Sequence, residues 1–153
     1  MSKIFDEAVQ KMPTLLEELL KSPLKTREQA NTLPQKGIYI LYENDMPIYV
    51  GRSNRMRQRI SEHGRNSSDH YSASFAFNLA KKEAERQGLR INRTRKELQG
   101  DERFKRIFVD SKARVARMKI RAIGIDEPII QHLFEVYVAL SLNTTEHNDF
   151  DTH

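Results

Sequence analysis

Two tyrosine-bearing segments of β character, separated by a short polar turn, constrain this chain more than any other feature. Lys36 to Tyr42 (KGIYILY) is β-branched and aromatic, Pro47 to Gly51 (PIYVG) is similar, and Glu43-Asn44-Asp45-Met46 between them has turn composition. The pair reads as a hairpin. Side chains alternate with a period of two, so residues of both strands can share one face, and Tyr39 and Tyr49 are candidates to project into one site. Gly37 and Gly51 stand where close backbone approach or a bend would exclude a side chain. Ser53-Asn54 then offers an N-cap, and Arg55 to His63 (RMRQRISEH) reads as a helix with Met56 and Ile60 on its buried stripe. Arg59 and His63 are four apart and share a face of that helix. A helix starting directly after the second strand can aim that face back toward the tyrosines.

The rest of the chain supplies a scaffold. Thr14-Leu15-Leu16-Glu17 and Thr26-Arg27-Glu28-Gln29 read as capping boxes of two short N-terminal helices, punctuated by Pro13, Pro23 and Pro34. Gly64 to Tyr71 is a polar loop. Ser72 to Gln87 carries Phe75, Leu79 and Ala80 at helical spacing, closes at Gly88, and is expected to pack on the sheet. Thr94 to Asp110 is charged and helical with an interruption near Gly100. Arg114 to Ile125 alternates apolar and basic residues and predicts a third strand. Asp126 or Glu127-Pro128 then opens a long helix bearing Glu135, because proline is tolerated in a first turn. The expected fold is α+β: a small three-stranded, mainly antiparallel sheet flanked by helices. One domain is expected over 1–153, with a helical extension over 1–34, the hairpin and its helix over 36–63, a helical insertion over 72–110, and the third strand and last helix over 114–148.

Composition narrows the classes. A chain of 153 residues is long enough to bury a core. No apolar run approaches the roughly 18 residues that span a bilayer, and the N-terminus lacks a signal-peptide core, so a cytoplasmic protein without membrane association is expected. The absence of cysteine excludes disulfides and thiolate metal sites. A net charge of +5 favours an anionic partner. The arginines crowd one segment: Arg52, Arg55, Arg57 and Arg65 surround Arg59, and their proximity to the tyrosines favours contact with phosphate. A second basic group runs from Lys81 to Arg121, where a solvated charged face is an equal reading.

The order Gly37-Ile38-Tyr39, Tyr49-Val50-Gly51, Arg59 and His63 resembles the GIY-YIG nuclease family. That family places a metal-binding glutamate on a later helix and an asparagine about a dozen residues beyond it, which Glu135 and Asn148 match in order. The resemblance is strongest over Gly37 to His63, looser over Glu135 to Asn148, and does not extend to Met1 to Pro34. It implies a metal-dependent endonuclease acting on DNA, with Tyr39 as general base and Arg59 on a non-bridging phosphate oxygen. His63 would assist, Tyr49 would hydrogen-bond phosphate or water, and Asn148 would position Glu135 or substrate. Glu135 would hold one hard divalent cation, Mg²⁺ or Mn²⁺, and no organic cofactor is implied. A free phenol with a pKa of about 10 is a poor base at neutral pH, so neighbouring groups must stabilise its anion or relay its proton.

Blander readings accompany each residue. A hairpin tyrosine is ordinarily a packed sheet aromatic, Arg59 an exposed helix charge, and Glu135 a solvated position on an amphipathic helix. His132 and Glu135, three apart, are a two-ligand candidate for zinc without matching ligands. Asn143 competes with Asn148 for the family asparagine. A nucleic-acid-binding module that makes no cuts is the alternative function. Substrate preference and oligomeric state are not encoded in any motif.

Overall fold

The computed structural model describes residues 2–63, 65 and 73–148. The chain divides into two compact units, Met1–Gln58 with Met118–His153, and Arg59–Arg117.

The first unit holds the sheet. Helices α1 (Lys3–Gln10) and α2 (Met12–Lys21) and a 3-10 helix (Arg27–Thr32) lead into β1 (Gly37–Glu43) and β2 (Met46–Ser53). Later come β3 (Lys119–Gly124) and a long helix (Pro128–Ser141). The sheet is antiparallel, in the order β2-β1-β3. Asn44 and Asp45 both have positive φ, 50° and 65°, the backbone of a two-residue turn whose twist matches its strands. Both residue types tolerate that region better than most.

The hairpin is not regular. From the turn, Glu43 faces Met46 and Tyr42 faces Pro47, but Leu41 faces Tyr49 and Tyr39 faces Gly51, so Ile48 is one residue extra. Proline has no N–H for a ladder, and β2 is an edge strand, where a bulge beside proline is tolerated. The bulge has a definite consequence. Uninterrupted pairing would set Tyr49 opposite Ile40, on the face away from Tyr39; one extra residue moves it opposite Leu41, onto Tyr39's face.

Ile38, Ile40, Tyr42 and Val50 form the other face, buried with Ala8, Met12 and Leu19 of the N-terminal helices and Ile130, Phe134 and Val138 of the long helix. Fully burying one such aliphatic side chain contributes about 1.5–3 kcal/mol. The capping box at Thr26 and Gln29 is present, but Thr14 lies inside α2, whose first turn takes Pro13 instead. Proline at that position loses no helical hydrogen bond, so the boundary falls earlier than the capping pattern implies.

Helix α3 (Met56–His63) crosses the division between the units. Its start is fixed in the first unit: the Met56 N–H donates to the Gln35 carbonyl at 3.0 Å and the Arg55 N–H to Ser53 Oγ at 2.8 Å.

The second unit contains α4 (Ser74–Arg86), α5 (Arg95–Gln99) and α6 (Glu102–Ala116). The packing partner of α4 here is α6, through a cluster in which the Phe77 ring meets Phe104 and Phe108 edge-on at 5.3 and 5.6 Å. The break near Gly100 is present, and Asp101 caps the helix that follows. That helix runs to Ala116, so Arg114, Val115 and Ala116 are helical and the third strand begins only at Lys119. The apolar-basic alternation there belongs to two elements: Val115 is buried on the helix and Ile120 in the sheet. Apart from Arg65, the loop over Gly64 to Tyr71 lies outside the described residues.

Candidate functional site

The two ends of the tyrosine hairpin meet through a missing side chain. A Cβ built on Gly51 would lie 2.2 Å from Tyr39 Cζ and 2.3 Å from its hydroxyl oxygen. The Tyr39 ring therefore lies across the bare Cα of its cross-strand partner, and its exposure is 1%. Tyr49, half-buried on the same face, brings its ring to 6.3 Å from Tyr39 at a 46° tilt. Gly37 serves a different contact. A Cβ there would fall 2.0 Å from the Ile123 carbonyl oxygen, so only glycine lets β3 approach β1 at this point.

The long helix, α7 (Pro128–Ser141), packs on β2 and frames the site from the edge of the sheet. Gln131, wholly buried, accepts from Arg52 Nη1 at 3.2 Å through Oε1. Its Nε2 donates to Asn54 Oδ1 at 3.2 Å and to the Ile125 carbonyl. These bonds turn the Gln131 flank of α7 toward the end of β2, and Glu135, one turn on and half-buried, lies along that flank. Sequence reasoning missed Gln131. Its only signal was an amide within the apolar run from Ile129 to Val138, where a buried carboxamide has to find partners.

Asn148 also acts on β2. Its Oδ1 accepts from the Val50 N–H at 3.3 Å and its Nδ2 donates to the Val50 carbonyl at 2.6 Å, so the carboxamide occupies the outer edge of the strand between Tyr49 and Gly51. Asn143 is used differently. With φ 57° it ends α7 in the left-handed conformation, and the Thr144 N–H returns to the Ala139 carbonyl at 2.9 Å. His132 is exposed on α7, and among the described residues no three His, Asp or Glu side chains gather to hold a metal.

The arginines divide by use. Arg57 is turned to structure, its Nε donating to the Leu33 carbonyl at 2.8 Å and its N–H to Gln35 Oε1 at 3.3 Å. Arg52 is held by Gln131, while Arg55 and Arg65 are exposed. In the second unit Arg59 lies 3.9 Å from Glu62 in a loose pair. His63 is 1% exposed and edge-on to Phe75, with ring centroids 6.3 Å apart. Burial, and secondarily the Arg59 charge, lower its pKa to about 3. His63 is thus a neutral imidazole at physiological pH and adds no second positive charge beside Arg59. Its charge could not be read from spacing, because spacing does not report burial.

A model of the GIY-YIG catalytic domain matches residues 35–111, half of the chain. The chain belongs to the GIY-YIG family. No curated protein and no solved structure matches it. The GIY-YIG match contains Tyr39, Tyr49, Arg59 and His63 and stops short of Glu135 and Asn148. It places the chain in a family of nucleases, on an α+β scaffold with a three-stranded antiparallel sheet. No helix among the described residues is long and apolar enough to cross a membrane.

The hard divalent cation that the family implies asks little of the protein. Such an ion keeps several waters and takes one or two carboxylates, so a three-ligand cluster is not required. Glu135 supplies one carboxylate, half-buried on a helix packed against β2, and the donor set fits a singly anchored, hydrated ion.

Proposed function

We propose that the protein is a metal-dependent endonuclease that hydrolyses phosphodiester bonds in DNA, with its site at the β2 edge of the sheet. The observation that carries this reading is the seat of Tyr39 across Gly51, beside Tyr49, which joins the two halves of the family motif in one place. A site of this kind positions and stabilises rather than forming covalent intermediates.

In this reading Tyr39 acts as a phenolate, its own proton released to solvent; it orients the attacking water and accepts that water's proton as the water oxygen bonds to phosphorus, while the bond to the 3′-oxygen breaks and that oxygen takes a proton from solvent. Tyr49 hydrogen-bonds the phosphate or that water. Arg59 exchanges its loose partner Glu62 for a non-bridging phosphate oxygen, where a planar guanidinium gains most as negative charge develops. His63, neutral, is a hydrogen-bonding neighbour on the same helix. Glu135 would hold Mg²⁺ or Mn²⁺, which supplies positive charge beside the phosphate and the departing oxygen when bound. Asn148 and Gln131 are positioning residues, the first for the strand between Tyr49 and Gly51, the second for Arg52. Arg52, Arg55 and Arg65 contact the backbone of the substrate, and Arg57 contributes chiefly by fixing the start of α3.

The competing reading is a nucleic-acid-binding module that makes no cuts. The observation favouring it is the burial of Tyr39, whose 1% exposure leaves its hydroxyl little open surface. Incubation of the protein with supercoiled plasmid, with and without Mg²⁺, separates the two. For the nuclease, Tyr39→Phe and Glu135→Gln should each lower the nicking rate at least about 100-fold while a labelled duplex still binds. Nicking unchanged by either substitution would reject the site, and a wild type that binds duplex without ever nicking it would select the binder.

A further inference from the structure

We propose that the second unit is the arm that grips the sugar-phosphate backbone of the DNA, so that substrate is held by a part of the chain separate from the tyrosine hairpin. This rests on the reading that the chain acts on DNA. The first observation is a segregation of charge. Residues 59–117 hold 15 lysines and arginines against 8 aspartates and glutamates, a net +7, out of 26 and 21 in the whole chain. The remaining residues hold 11 against 13, a net −2, so the basic character of the protein belongs wholly to this unit.

The second observation is how its acids are used. Glu83 binds Arg86 at 2.5 Å, and Glu102 binds Lys105 at 3.3 Å. Asp101 caps α6 through the Arg103 and Phe104 N–H groups and binds Arg93 at 3.1 Å, while Glu97 closes the capping box at Thr94. These carboxylates are committed to local structure; Glu97 also feels the Arg90 charge and Glu83 that of Arg114, but eight acids against fifteen bases leave the unit positive. Arg90, Lys96, Arg103 and Arg106 are exposed and form no ion pair among the described residues. Crowding continues inward: the Lys81 ammonium and the Arg95 guanidinium approach the same Phe77 ring, at 6.0 and 5.8 Å.

Like charge gathered on one folded unit repels itself and draws an anion that relieves the repulsion. The unit has its own aromatic core and capped helices, so the cations stand on a fixed frame. Arg103 and Arg106 line a shallow groove with Gln87, Ile107 and Asp110, and the Arg90 and Lys96 side chains stand just before and on α5. Exposed guanidinium groups suit phosphate oxygens, and contacts of this type fix register without reading sequence. The partner that fits is a polyphosphate backbone, here duplex DNA.

The test is the salt dependence of binding to a fluorescent duplex of arbitrary sequence, by anisotropy in EDTA from 50 to 200 mM KCl. Removing one cation that neutralises a phosphate should reduce the slope of log K against log salt by about 0.9. A combined Arg90→Gln, Lys96→Gln, Arg103→Gln and Arg106→Gln variant should lose up to about 3.6 from the slope, shrinking the affinity change across that range by about two orders of magnitude. Lys96→Gln and Arg106→Gln alone should each remove about 0.9, which guards against misfolding of the combined variant. Lys3→Gln with Lys11→Gln, on exposed positions of α1 and its C-terminal cap, should leave the slope unchanged. A wild type with a steep slope that the combined variant retains overturns the arm and leaves the cutting site standing. A wild type that neither binds nor nicks DNA overturns the nuclease reading and this one together. Displacement of the duplex by polyglutamate at equal charge concentration would make any polyanion sufficient and overturn the assignment to nucleic acid.

Discussion

Replacing Gly51 by alanine adds one methyl at the point where the two halves of the tyrosine motif touch. Gly51 is not in the left-handed region, so alanine carries no backbone penalty, and the whole effect falls on Tyr39. The new carbon would stand 2.2 Å from Cζ and 2.6 Å from Cε1 of that ring. Carbon atoms tolerate roughly 3.4 Å, so the ring must move by about 1.2 Å, and its burial leaves no solvent to retreat into. Overpacking of this kind costs about 1–3 kcal/mol, and a catalytic group misplaced by about 1 Å loses on the order of 100-fold in rate. Gly51→Ala is therefore expected to lower the urea midpoint and to reduce plasmid nicking about 100-fold with duplex binding kept. In a Tyr39→Leu background, where the clashing ring atoms are absent, the same alanine should cost almost nothing in stability. An alanine variant with unchanged midpoint and nicking would refute the reasoning. So would a stability cost that persists undiminished in the Tyr39→Leu background, a coupling below about 0.5 kcal/mol.

Three further outcomes follow from the same geometry. Asn148→Asp should destabilise more than Asn148→Ala at neutral pH, about 2–3 against about 1 kcal/mol, because a carboxylate can accept from the Val50 N–H but would face the Val50 carbonyl with a second oxygen. Urea unfolding checks this, and a midpoint for the aspartate variant equal to wild type would show that these bonds do not hold the strand. His63 has a folded pKa of about 3 against an ordinary 6.5, so between these values the unfolded chain binds a proton that the folded one refuses. Its contribution is complete above pH 6.5 and shrinks as pH falls toward 3, by on the order of 2 kcal/mol at pH 5; His63→Phe should flatten that part of the stability profile. Deletion of Ile48 removes the bulged residue while leaving Leu41 opposite Tyr49 and Tyr39 opposite Gly51, so nicking should survive within about tenfold. Abolished nicking in a deletion variant of native stability would show that the bulge does more than restore the face.

The hairpin was legible because its signals are local: β-branched runs, an Asn-Asp turn and two glycines act within a few residues of one another. The last helix was legible for the same reason, through Pro128 and its apolar run, although the sequence left Asp126 and Glu127 both open as its cap and the structure uses Glu127. Two boundaries were misread where local signals conflicted. Thr14 offers a capping box, yet Pro13 fixes the backbone one residue earlier and α2 begins at Met12. Arg114 to Ile125 alternates like a strand, yet α6, capped by Asp101, continues through Val115 on its buried side. The motif residues of the hairpin and its helix stood out from their spacing, but their contacts did not. Nothing in the spacing of Tyr39 and Tyr49 shows that a bulge at Ile48 is needed to bring them to one face, nor that Arg57 is bound to the Leu33 carbonyl and Gln131 to Arg52. Those are tertiary contacts, and only the packed chain selects them.

An edge strand presents an outer row of N–H and C=O groups, normally open to water or to another strand. In β2 the pair belonging to Val50 is taken by Asn148, so the residue between Tyr49 and Gly51 is held by β1 on one side and by a carboxamide on the other. The path to that carboxamide is fixed step by step. Asn143 turns out of α7 with positive φ, the Thr144 N–H returns to the Ala139 carbonyl, and the His147 N–H closes a turn on the Thr144 carbonyl at 3.1 Å. Thr144 Oγ1 then donates to Asn148 Oδ1 at 3.2 Å. The interval between Glu135 and Asn148 is thus the length of chain needed to leave the helix, reverse and reach the β2 edge. It follows that α7 and β2 are mechanically linked: inserting a residue between Asn143 and Asn148 would withdraw the carboxamide from Val50 and loosen the strand under Tyr39, although the insertion touches neither the tyrosines nor Glu135.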